Sequence, residues 1–183
     1  MKKIVITFGL ISGFILAAMM AITMPLYRSG RMDFDQGEIV GYTTMVLSFI
    51  LVFFGIRSYR ENIGGGAISF GKAFQVGILI MLVSCVVYVV SWEIVYFNFA
   101  PDFFEKYTAH TIAKMRAGGA TDAAILATQQ KMTDFKKMYD NPLINSALTF
   151  LEPLPVGLII TLVSAAILRR KPGAPAPATP AVT

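Results

Sequence analysis

Apolar residues along this chain come in long runs, and polar residues gather in short clusters between them. The first run extends from Ile4 to about Met24, preceded by Lys2 and Lys3 and closed by Pro25. Others extend from about Ile39 to Ile56, from Ala73 to about Phe97, and from about Leu143 to Leu168. A helix crosses a hydrocarbon core of roughly 30 Å with ~20 residues, so each run is long enough to span. A secretory signal peptide starts like the first run, but its apolar core ends after ~7–15 residues at a small-residue cleavage site. No such site follows here. The pattern predicts four transmembrane helices, over about 4–24, 39–56, 73–97 and 143–168.

The connectors differ in kind. "YRSGRMDFDQGE" reads as a polar turn and "ENIGGGAISFGK" as a glycine-rich link, whereas Phe99 to Asn141 forms a sizeable polar segment. Within it, Phe104, Tyr107, Thr111 and Met115 recur at three- and four-residue spacing after Pro101. Such spacing marks one face of a helix that starts with proline. After "AGGAT", Thr121 is suited to cap a second helix carrying Ile125, Met132, Phe135 and Tyr139 on one face, stopped by "DNP". A helical hairpin is therefore expected over about 101–140, as a structural cap or, alternatively, a ligand-binding lid. The fold class predicted is all-α: one polytopic membrane domain over 1–171, with a hairpin between its third and fourth spans. The last stretch, "PGAPAPATPAVT" at 172–183, lacks the apolar side chains to fold and is expected to be a disordered cytoplasmic tail.

Composition supports the membrane class: 55% of residues are hydrophobic and the mean hydropathy is +0.63, above the ~45–50% apolar content of soluble domains. The net charge of +5 does not point to nucleic acid, because the basic residues flank apolar runs instead of forming a stripe with interleaved aromatics. Their placement orients the chain. Lys2, Lys3, Arg57, Arg60, Lys72, Arg169, Arg170 and Lys171 share one side, with Glu61 as the only offset. On the other side acidic residues are interspersed. The positive-inside bias then predicts cytoplasmic N- and C-termini and an extracytoplasmic hairpin. Cys85, the single cysteine, reads as a small buried apolar residue.

Gly9, Gly13, Ala17 and Ala21 lie four apart on one face of the first span, and Gly157, Thr161 and Ala165 repeat this on the fourth. Small residues let helices approach closely in lipid, where no hydrophobic drive operates between them. A contact inside the bundle is the simple expectation; a homodimer through the first span is the alternative. "GAISFGKA" matches a phosphate-binding loop at Gly66, Gly71 and Lys72, but Ala73 stands where Ser or Thr would hold magnesium. No nucleotide site is expected, and Ser69 reads as a helix start. His110, the single histidine, is expected to be solvated; no metal site, cofactor or catalytic triad can be assembled around it.

Two carboxylates lie within the apolar runs, Glu93 and Glu152. Counting ~1.5 Å per residue from Lys72 and Arg169 puts both in the outer third of the bilayer, near the headgroup-favouring Trp92 and Tyr96. They are expected to face one another or a shared cavity. Pro153 and Pro155 cannot donate backbone hydrogen bonds, and a residue before proline is biased from helix, so a kink is expected at Glu152. Alternatively, Glu152 sits at the interface and Pro153 begins the helix.

"GLISG", "GEIVGYTTMVLSFILVFFGIRSYR", "GGGAISFGKAFQVG", "WEIVYFNF" and "FLEPLPVGLIITLVSAAILRRK" together resemble the DUF4199 family of bacterial membrane proteins, from Met1 to about Lys171. The resemblance implies a four-span inner-membrane protein and brings no activity or catalytic residues. The expected function is a non-enzymatic accessory or scaffold subunit, held in the lipid bilayer with itself or another membrane protein as partner. The alternative is a small homodimeric proton- or ion-coupled transporter using Glu93 and Glu152.

Overall fold

The structure, a computed structural model, describes residues 1–171; the expected Pro/Ala tail lies outside the described residues. Helices α1 (Lys2–Arg28), α2 (Phe34–Asn62) and α3 (Phe70–Ile94) come first, and α3 runs on into a π-helical turn at Val95–Phe99. The hairpin follows as α4 (Phe103–Ala117) and α5 (Asp122–Tyr139). The last span is two helices, α6 (Pro142–Leu151) and α7 (Leu154–Leu168). Among the described residues, four segments are long and apolar enough to cross a membrane: Lys2–Arg28, Phe34–Asn62, Phe70–Phe99 and Pro142–Leu168.

Helix ends follow local chemistry. α2 starts well before the apolar run because Asp33 and Gln36 form a capping box, with Asp33 Oδ1 accepting from Gln36 N at 2.7 Å. Ser69 caps α3 by accepting from Lys72 N, and Thr121 caps α5 by accepting from Ala124 N. α4 differs from expectation at its start. Pro101 lies in the preceding turn and the helix begins at Phe103. Gly119 turns the hairpin with φ +77°, a conformation that L side chains rarely adopt.

The spans alternate in direction, and small residues set their spacing. A Cβ on Gly9 would lie 2.6 Å from Val83 Cβ, and one on Gly13 equally close to Val87 Cβ, so α1 and α3 meet almost backbone to side chain. Farther along the stripe, Ala17 is half-buried and Ala21 exposed. Gly157 lies against Met81 and Gly77 against Thr161, seating α7 on α3. Hydroxyls join the helices where apolar burial gives no drive in lipid. Ser48 Oγ donates to Ser12 O at 2.7 Å, and Ser84 Oγ to Gly9 O at 3.1 Å. Phe14, Ile22, Leu47 and Ile159 point outward, forming an apolar circumference.

The two ends of the bundle differ. At one, Ile68 and Arg170 exchange backbone hydrogen bonds of 3.0 and 2.8 Å, tying the glycine-rich link to the end of α7. Arg60 Nη1 donates to Leu168 O there, satisfying a terminal carbonyl. α4 and α5 sit across the other end.

Candidate functional site: an aromatic cavity beneath the hairpin

The site begins on one face of α3. Tyr88, Trp92 and Tyr96 recur every four residues, so their side chains stack along one helical stripe. All three donate to other parts of the fold: Tyr88 OH to Glu152 Oε2 at 2.8 Å, and, at the end of α5, Trp92 Nε1 to Tyr139 OH at 2.9 Å and Tyr96 OH to Asp140 Oδ1 at 2.8 Å. Tyr139 OH then lies 3.4 Å from Thr149 Oγ1, which donates to Asn145 Oδ1 at 3.1 Å. α3 thereby holds the break in the last span and the end of the hairpin together.

Above this stripe a cavity of about 450 Å³ opens between α1, α2 and α3, roofed by α4 and α5. Its walls include Phe34, Tyr88, Trp92, Phe103 and Tyr107. Phe34 stacks on Tyr27 at 5.1 Å between centroids and meets Phe103 and Tyr107 edge-on, while Phe103 meets Trp92 edge-on at 5.1 Å. Such pairs are worth roughly 0.5–1.5 kcal/mol each beyond their burial. That outweighs the exposed Lys114–Asp35 ion pair, which ties the hairpin to α2 but is of a class worth only ~0–1 kcal/mol. Met19, Met20 and Met24 line the α1 side. At the mouth, Glu38, Tyr42 and Glu152 are exposed.

The break in the last span shapes that mouth. α7 packs against α2 and α3, whereas α6, beyond Pro153, packs on α3 and α5. Glu152 itself keeps helical dihedrals, φ −62° and ψ −54°. This corrects the expectation that the following proline drives it out of helical geometry; the interruption comes from the donors that Pro153 and Pro155 lack. Pro153 is buried and Pro155 exposed.

The family model described as protein of unknown function (DUF4199) matches residues 7–170. The chain belongs to the DUF4199 family. No curated protein and no solved structure matches it. The DUF4199 match encloses every cavity residue, from Met19 to Glu152.

In this DUF4199 member the intramembrane glutamates have separate settings. Glu152 lines the cavity, whereas Glu93 accepts from Ser146 Oγ at 2.9 Å and is not part of the wall. The reason is angular: Glu93 follows Trp92 by one residue, about 100° around the helix. His110 is not simply solvated, as the sequence suggested. It packs over Phe34 at 5.4 Å and its Nε2 lies 3.4 Å from Asp35 Oδ1, a carboxylate shared with Lys114. Lys72 is engaged locally, donating to Gln75 Oε1 at 2.9 Å with Tyr59 beneath it. Among the described residues, no group of three His, Cys, Asp or Glu side chains is placed to hold a metal ion.

Sequence reasoning missed Tyr88, Glu38, Phe34 and Tyr42. The four-residue spacing in "YVVSWEIVY" was a usable signal for Tyr88. Glu38 sat in a polar turn and had none.

Proposed function

We propose that this protein is a non-enzymatic accessory subunit of the bacterial inner membrane that binds a small amphiphile in the cavity beneath its hairpin. The cavity carries this reading. Its volume of about 450 Å³ falls within the ~300–1,000 Å³ typical of ligand pockets, with mostly apolar walls and few polar groups. The orientation that suits it has both termini in the cytoplasm and the hairpin outside, supported by Lys2, Lys3, Arg57, Arg60 and Lys72 at the opposite end from the cavity. A coupled transporter using both glutamates is less favoured, because only Glu152 reaches the cavity. The partner that such a subunit serves is another membrane protein or a second copy of this chain.

Trp92 is the single tryptophan and stands in the cavity wall, so its emission reports occupancy directly. The full chain in non-ionic detergent should show saturable emission changes with at least one of a set of aromatic amphiphiles, cationic, anionic and neutral. Gly41 lines the cavity with nothing within 4 Å of where its Cβ would be, so Gly41→Phe adds bulk to the chamber wall without a backbone clash. This variant should fold and lose the response. No saturable change with any charge class would overturn the binding reading.

A further inference from the structure

We infer that the ligand is an organic cation: an ammonium or similar onium group carrying an apolar, preferably aromatic, body. This rests on the binding reading above and names its chemical class. Two carboxylates, Glu38 and Glu152, line the cavity, and no lysine, arginine or histidine does. Neither carboxylate has an ion-pair partner among the described residues; Glu152 accepts only the neutral Tyr88 hydroxyl.

Three nearby basic groups are engaged elsewhere. Asp35 takes Lys114 at 2.8 Å and His110 at 3.4 Å, and Arg28 donates to Phe99 O at 3.2 Å. The cavity is thus left with two carboxylates that no basic side chain among the described residues pairs with. Around it stand the ring faces and edges of Phe34, Tyr42, Tyr88 and Trp92. Aromatic faces attract cations through the ring quadrupole, most strongly where water is excluded, and cages of this kind suit quaternary ammonium groups. A hard metal ion is a poor match, because calcium or magnesium needs about six or more oxygen ligands. An anion would meet only like charge. The three methionines on α1 supply a polarizable, adaptable wall that accommodates bodies of varied shape.

The mouth has the right order of groups for such a ligand. Glu152 stands at the break in the last span and Glu38 and Tyr42 on α2, all exposed, so charge is met at the rim and the rings lie behind it. Glu152→Gln retains an oxygen to accept from Tyr88 and removes the charge alone.

The test compares benzyltrimethylammonium with neopentylbenzene, its neutral carbon isostere, on the full chain in non-ionic detergent, reading Trp92 emission. The cation should bind at least about tenfold more tightly, a difference of roughly 1.4 kcal/mol. Glu152→Gln should erase most of this preference while leaving neopentylbenzene binding in place, which also shows that the variant is folded. Glu93→Gln, off the cavity, should keep it. Equal affinity for the two probes, or a preference that survives Glu38→Gln and Glu152→Gln together, would overturn the inference while the binding reading stands. Silence from both probes and from the wider set of amphiphiles would remove both.

Discussion

Asp140 accepts from Tyr96 OH, in the π-helical turn that ends the third span, and from Lys136 Nζ on α5, so a single carboxylate joins a span to the hairpin. The Lys136 ammonium and then the Tyr96 hydroxyl hold its carboxyl below the ordinary value of 3.8. A carboxyl depressed in the folded state stabilises at pH above the unfolded value and loses that contribution as pH falls through the folded one. The hairpin should therefore loosen below about pH 3.8. Trp92, bonded to the adjacent Tyr139, should report the change in its emission, and Asp140→Asn should flatten the acid step. An unaltered step in that variant would reassign it to the other aspartate carboxyls held low, Asp35 by Lys114 and His110, Asp102 by Lys106, or Asp134 by Gln130 with Lys137.

Pairs of helices depend on how closely their backbones approach. The small-residue stripe on α1 is not uniform: Gly9 and Gly13 are filled by Val83 and Val87, while Ala21 faces outward. Gly9→Leu should force α1 from α3 and lengthen the Ser84–Gly9 hydrogen bond, costing about 1–3 kcal/mol by overpacking. Ala21→Leu should be nearly neutral. Thermal unfolding in detergent separates the two, and equal losses would contradict the packing described. At the last span the two prolines act differently from a simple kink. Glu152 stays helical, and α6 and α7 part company because donors are missing.

Across the molecule, the excess of basic over acidic residues and the aromatic cavity lie at opposite ends. The basic ends of α1, α2, α3 and α7 lie together, joined by the Ile68–Arg170 bridge and the Arg60–Leu168 bond. The cavity and hairpin occupy the other end. Under the proposed orientation, a cysteine replacing exposed Lys131 in α5 should react with a membrane-impermeant maleimide on intact cells, and one replacing Lys2 should not. Cys85, buried in the bundle, should stay silent. Labelling of Lys2→Cys alone would invert the orientation.

By itself the sequence determined the class and the number of spans, because a bilayer demands long apolar helices and little else satisfies that demand. It also marked Glu152 with its prolines, since charge and missing donors inside an apolar run are visible locally. The cavity was another matter. Its walls come from Met19, Phe34, Glu38, Trp92, Phe103 and Glu152, residues scattered over the chain that no local pattern joins. Only tertiary packing decided which carboxylate joined them, because a rotation of one residue along α3 separates the Trp92 face from Glu93. Helical periodicity fixes which side chains share a stripe, but the approach of other helices decides what that stripe faces.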